Sequence, residues 1–390
     1  MNSWLQVYTT PIKESAVIGP ADDFLIHQTH EPVRFAATSD RRFYDRYFFT
    51  GHQCSPDLFF MIGVGAYPNL GVIDAFGSVA LGSKQYTTRG SRELGADRLN
   101  MSAIGPFHVE VIEGLKRLRI RCDEQPGQAV HFDLEWNASV PAFEEPPILQ
   151  RVMGRVMEQA TRLIQTGVWS GYIVCEGQRV DLDPTTSWGA RDRSWGVRSI
   201  GLEREPKGIQ QAKGTSNART SLWIWSPMQF ADQTIHFSIA EYANGKREIE
   251  TVRRMAAFPV DGSPAGEEEY LDGAEHDLRF DPATRELLED SSISFLEPDG
   301  TRRHVRLTPL RRAYLRAGTG YGGPDTWRHG KYMGENWVDS VSYDLTDEKL
   351  TAQIGPTHVL CRMDMDDGRV GYGTFETQVY GAYPRYGFEA

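Results

Sequence analysis

Only four cysteines occur in 390 residues, at positions 54, 122, 175 and 361, and no two form a C-x-x-C pair. That spacing excludes a zinc knuckle or a dithiol redox motif read from sequence. It fits reduced, buried thiols in a cytoplasmic protein. Positive charge is in deficit too, with 42 Lys and Arg against 53 Asp and Glu, a net −11. A chain of that sign is a poor partner for nucleic acid or an anionic membrane surface, both of which are negative themselves. No run reaches the roughly 18 uninterrupted apolar residues of a membrane helix, so no membrane insertion is expected. The opening MNSWLQVYTTPIKESAVIG has neither the basic nor the apolar region of a secretory leader.

Standard catalytic signatures are also missing. There is no H-E-x-x-H, no G-x-S-x-G and no Walker loop. Gly318 to Gly323 spell G-x-G-x-x-G, but Pro324-Asp325-Thr326 follow where a pyrophosphate site needs a helix. His27 and His30 have no third ligand near them in sequence, so no metal or other cofactor is expected.

What the chain does have is aromatic rings, 9 Trp, 16 Tyr and 18 Phe, which fill β-cores and line pockets for apolar ligands. Short alternating runs bounded by Gly, Pro, Asn and Asp dominate, as in DLFFMIGVGAYPNLG (57–71) and AVHFDLEWNAS (129–139). They predict antiparallel strands joined by tight turns, with hairpins at Gly114 and at Cys175 to Gln178. One segment has a different period. Ile148, Leu149, Val152, Met153, Val156, Met157, Leu163 and Ile164, entered through Pro146-Pro147 and closed by Gly167, predict an amphipathic helix near 147–166. At this length two domains are expected, 1–205 and 206–390, joined by a polar linker at 202–221.

The segment SWGARDRSWGVR (187–198) sets Asp192 between Arg191 and Arg193, with Trp188 and Trp195 outside them. On a strand the arginines point to the face opposite Asp192. The carboxyl then lacks their charge, and its protonation is open. With DRYFFTGHQ (45–53), GVGAYPNLGVIDAF (63–76) and GYGTFETQVYGAYPRYGF (371–388), this segment resembles the carotenoid 1,2-hydratase (hydroxyneurosporene synthase) and AttH-like superfamily, in an uncharacterised bacterial branch. The resemblance implies a mainly β fold of two consecutive lipocalin-like antiparallel barrels or half-barrels around an apolar pocket. It also implies a hydratase, isomerase or cyclase without cofactor, acting on an apolar isoprenoid, steroid-like or aromatic molecule. The alternative is a non-catalytic carrier for the same ligands.

Acid-catalysed alkene chemistry needs a carboxyl kept neutral in an apolar pocket and aromatic faces toward the developing cation. Asp192 and His329 are the expected catalytic residues. Tyr67, His108, Trp169, Tyr172, Trp188, Trp195, Trp327, Tyr332 and Trp337 are the expected ligand contacts. Carotenoid hydratases commonly carry a histidine beside the motif aspartate, where this chain has arginines.

Overall fold

The computed structural model describes residues 18–152, 154–198, 221–260, 263, 265–354 and 357–389. Twelve strands form from the first half: β1 (Phe43–His52), β2 (Leu58–Tyr67), β3 (Val72–Leu81), β4 (Lys84–Glu93), β5 (Phe107–Glu113), β6 (Arg117–Cys122), β7 (Val130–Ala138), β8 (Phe143–Glu144), β9 (Ile148–Val152), β10 (Arg155–Cys175), β11 (Gln178–Leu182) and β12 (Trp188–Val197). The rest of the chain adds β13 (Leu222–Gln229), β14 (Gln233–Glu241), β15 (Arg247–Ala256), β16 (Glu269–Asp277), β17 (Ser291–Leu296), β18 (Arg302–Tyr314), β19 (Trp337–Asp344), β20 (Thr357–Met365) and β21 (Val370–Val379). A seven-residue helix, α1 (Glu348–Ile354), lies between β19 and β20.

The fold is mainly β, in two lipocalin-like parts. One is a sheet ordered β19-β4-β3-β2-β1-β12-β10-β7-β6-β5, and the other is a closed barrel of β13 to β18 with β20 and β21. Residues 337–344 therefore complete the sheet built by the first half. Alternation explains the strands. On β7, Val130, Phe132, Leu134 and Trp136 are buried, while Asp133 and Glu135 face out to Arg119 and Arg117. The sheet curls over that apolar side until Thr88 Oγ1 of β4 donates to Val130 O of β7 at 3.0 Å. Trp136 and Trp169 meet edge to face at 5.0 Å within it, and burying each such ring stabilises by about 4–6 kcal/mol.

The helix expected near 147–166 is instead the β9–β10 hairpin, which turns at Gly154 with φ +78°. Its apolar period was shorter-ranged than the forces that decide the matter. Strand β10 pairs with β12 and then β11 along one edge, and with β9, β8 and β7 in turn along the other. A chain satisfied on both edges by long ladders overrides a weak local preference. Thr161, Ile164, Thr166 and Val168 are β-branched and suit it. The hairpins at 114 and 175–178 form as expected, the second through Glu176 and Gly177 at φ 49° and 77°. The linker expected at 202–221 lies outside the described residues, except Ser221. Among the described residues no helix is long and apolar enough to cross a membrane.

The convex face of the sheet packs on the outer wall of the barrel. Phe48, Phe59, Met61 and Phe76 from the sheet cluster there with Leu360, Ala313 and Leu315 from the second half. Hydrogen bonds fix the seam: Thr374 Oγ1 to Thr50 Oγ1 at 3.1 Å, and Thr166 with Thr234.

Candidate active site

Strand β12 carries its polar residues to two different places. Arg191, Arg193 and Trp195 point to the concave side of the sheet. Arg191 donates through Nε and Nη2 to Gln165 Oε1 at 2.9 and 2.7 Å, and Gln165 in turn donates to the carbonyls of Leu115 and Val140. Arg193 pairs with Asp45 and lies 4.5 Å over the Tyr47 ring. Both guanidinium groups therefore have partners. Ala190, Asp192 and Ser194 point the other way, into the seam.

Two rows of side chains face each other there. In the sheet, Phe48, Asp192 and Ile164 are register neighbours on β1, β12 and β10. In the barrel, His358, Glu376 and Trp225 are register neighbours on β20, β21 and β13. Phe48 meets the His358 ring at 5.5 Å, and Ile164 shares a buried cluster with Trp225. The middle members, Asp192 and Glu376, are thus brought opposite one another between apolar and aromatic flanks. Toward the threonine contacts the seam is shut. The other end keeps accessible surface at Asp192, Glu376, Arg162, Trp223, Gln378, Arg198 and Tyr321, all half-buried.

The electrostatics follow from that position. Burial lifts the Asp192 carboxyl to about 6; Arg162, Arg198 and Arg46 pull against it, while Glu145 adds to the rise. Burial also lifts Glu376 to about 7, with Arg162 opposing and the Asp192 charge raising it further. Gln378 Nε2 donates to Glu376 Oε1 at 2.7 Å, and His358 Nε2 stands 3.8 Å from Oε2. Burial alone holds His358 down at about 3, so its ring is neutral. Glu145 behaves in the opposite way. Burial would raise it, but Arg162 at 2.8 Å, His236 and Trp225 outweigh that and hold it at about 2. One fixed carboxylate thus anchors Arg162, and two adjustable carboxyls stand beyond it.

The expected residues divide by place. Asp192 is in the seam, and Trp188 shares its face of β12, edge-on to Tyr372 at 6.1 Å. Tyr67 is buried at the same side, its hydroxyl 3.4 Å from Asp74 Oδ1. His329 is buried with both nitrogens engaged: Nε2–H donates to Thr319 O at 2.6 Å, and Nδ1 accepts from Arg46 Nη1 at 2.8 Å. Burial, then Arg46, drives it well below the usual imidazole range. Its geometry is that of a group holding Arg46. Gly320, at φ +86°, leaves the room His329 needs, since a Cβ there would stand 2.5 Å from the ring.

Trp327 meets His329 edge-on at 5.7 Å and lies tilted against Trp337 at 5.9 Å, with Arg89 over both indole rings. Trp169 belongs to the concave core, its Nε1 donating to Thr50 O. Tyr172 lies under Arg179 on the β10–β11 hairpin, His108 pairs with Asp123, and Tyr332 is exposed. These four are not at the seam. Sequence reasoning did not single out Glu376, Glu145, Arg162, Arg46, Arg198 or His358. Among the described residues no three His, Cys, Asp or Glu side chains cluster so as to hold a metal ion.

Trp195 lines a different space. On the concave side a cavity of about 620 Å³ is bounded by Tyr47, Val64, Ile73, Met101, Arg193 and the 26–37 segment.

A family model described as a family of unknown function (DUF8625) matches residues 18–389, and no curated protein matches the sequence. Among solved structures, an AttH candidate (NE1406) from Nitrosomonas europaea is similar in fold, with TM-score 0.50 at 13% identity over 91% of this chain and 98% of that one. Kievitone hydratase from Nectria haematococca gives 0.49 at 12% identity, covering 95% of this chain and 97% of its own. CghA bound to Sch210972 gives 0.45 at 10% identity, covering 87% and 89%.

Proposed function

Because this chain belongs to a family of unknown function (DUF8625), whose name assigns no activity, we propose from the seam itself that the protein is a cofactor-independent proton-transfer enzyme. Its substrate would be a small unsaturated organic molecule, and its reaction class hydration, isomerisation or cyclisation. The observation that carries this is the facing pair Asp192 and Glu376, held near 6 and 7 between Phe48, Ile164, His358 and Trp225. A pair at those values holds one proton near neutrality, so one member is acid while the other is base.

The chemistry balances without a co-reactant other than water. Glu376 gives its proton to an alkene carbon, and the adjacent carbon becomes cationic. Nearby ring faces, Phe48 and Tyr321, favour that charge. Asp192 then takes a proton, either from an attacking water, which completes hydration, or from a neighbouring carbon, which completes isomerisation. The pair ends with one proton, as it began. Arg162, fixed by Glu145, keeps the ionised member from rising further. His329 serves as a positioning residue for Arg46.

The test is deuterium transfer. The protein is incubated in D2O with a panel of isoprenoid, steroid-like and phenolic alkenes, and carbon-bound deuterium is read by mass spectrometry. Incorporation that disappears in Asp192→Asn and Glu376→Gln supports the reading; incorporation that persists in both overturns it. A second reading, a carrier without chemistry, is favoured by the concave cavity of about 620 Å³. It predicts ligand release unchanged in isotope content, and affinity that follows Trp195 and Tyr47 instead of Asp192.

A further inference from the structure

The open end of the seam is built from cations that lack anions. Arg46 is 2% exposed, and its Nε and Nη2 have no hydrogen-bond partner. Its guanidinium lies 5.0 Å from the Tyr321 ring centre and 5.8 Å from that of Phe76. Arg198, just beyond β12, lies 4.4 Å over Tyr44 and 5.9 Å from the same Tyr321 ring, and its Nε is also unpartnered. Among the described residues neither has a carboxylate within ion-pair distance.

The fold makes room for this. A Cβ on Gly63 would stand 2.6 Å from Arg46 Nη2, and His329 spends its one free lone pair on Arg46 Nη1. The nearest acids, Asp74 and Asp192, attract these cations through space but make no ion pair with them among the described residues. Asp74 accepts from Gly330 N at 2.7 Å and from Tyr67, and Asp192 faces Glu376. Leaving a buried guanidinium N–H unpaired carries its full desolvation penalty, and two neighbouring cations repel as well. Such an arrangement is retained where something else supplies the charge.

We infer that Arg46 and Arg198 form an anion subsite at the mouth of the seam, so that the substrate carries an acidic oxygen group beside its unsaturation, such as a carboxylate or an ionised enol or phenol. The inference rests on the proton-transfer reading, because it places that group next to Asp192. It narrows the substrate class from apolar molecules to amphipathic acids. The Tyr321 ring, which both guanidinium groups approach, and the Tyr44 ring hold the two cations in place.

The test uses two aryl probes of similar shape, anionic 1-anilinonaphthalene-8-sulfonate and neutral N-phenyl-1-naphthylamine, titrated against the full chain by fluorescence. Arg198→Met should weaken the sulfonate at least about tenfold and leave the neutral probe within about twofold. Arg46→Lys, which keeps the charge but loses the fork, should weaken the sulfonate less. Asp192→Asn should strengthen it by removing a nearby negative charge. Circular dichroism melts establish that each variant is folded, and Arg198→Met stands as the test if Arg46→Lys is not.

If Arg193→Met weakens the sulfonate while Arg198→Met does not, the anion sits in the concave cavity and the inference is overturned. If Trp223→Ala and Asp192→Asn shift the neutral probe but Arg198→Met leaves the sulfonate unchanged, the anion subsite alone fails. If no seam variant shifts either probe, the proton-transfer reading fails with it.

Discussion

The two faces of β12 carry similar chemistry and opposite states of satisfaction. On the concave face, Arg191 is 2% exposed and held by Gln165 through Nε and Nη2, and burial lowers its guanidinium only to about 10, so it stays charged. Arg193 has Asp45 and the Tyr47 ring. On the seam face, Asp192 has no hydrogen-bonded partner among the described residues, faces another carboxyl, and is lifted to about 6. Nearby, Arg46 keeps only the His329 contact at Nη1, and its Nε and Nη2 and the Arg198 Nε have no hydrogen-bond partner among the described residues. A strand's alternation thus separates charges that hold the fold from charges held against their preference. The first kind adds stability and the second costs it, which is the pattern of a site kept for use.

The sharpest way to break this contrast is substitution on each face. Asp192→Asn or Glu376→Gln should lower turnover by about 10²- to 10⁴-fold, the range of a lost general acid or base, with ligand affinity and folding retained. Steady-state rates on the substrate found by deuterium transfer check it. Arg191→Ala should do the reverse. It orphans the buried Gln165 and leaves a cavity, costing about 2–4 kcal/mol in a denaturant titration, while the pH profile keeps its shape.

The pH dependence sharpens the comparison further. Activity should rise as Asp192 ionises above about 6 and fall as Glu376 loses its proton above about 7, a narrow bell in kcat/KM. Stability runs in the other direction. Both carboxyls are raised on folding, so their favourable contribution is full below the ordinary carboxyl range near pH 4 and is lost as pH climbs to about 7. Asp192→Asn should therefore raise Tm at pH 8 by about 1–3 °C and change it little at pH 4, as read by calorimetry. The smallest effect belongs to the concave rim, where Trp195→Ala should leave seam turnover within about twofold.

How much of this was legible in the sequence depends on range. Alternation in 129–139 and the turn residues at 175–178 are local, and they gave strands and hairpins correctly. The opposition of Asp192 to Arg191 and Arg193 followed from the same two-residue period. The helix at 147–166 was misread because its apolar spacing is local while the pairing of β10 is not. That error also hid Arg162, which on a helix reads as a solvent charge and on the strand is a seam residue. Glu376 lay inside a stretch that had been noted, but nothing local says that β21 packs its outer face on β12. Arg46 could have been found, since it shares one face of β1 with Phe48 and Thr50 while Tyr47 and Phe49 turn to the other. His329 was noticed as a residue type, and only the fold shows both nitrogens occupied.

The central claim is that Asp192 and Glu376 share a proton across the seam. Carbon-13 NMR titration of labelled Asp and Glu carboxyls, assigned with Asp192→Asn and Glu376→Gln, tests it directly. The account predicts two resonances titrating near 6 and 7, and a downward shift of the Glu376 titration when Asp192 is neutralised. Two independent titrations near the ordinary carboxyl value of about 4, unmoved by either substitution, would contradict it.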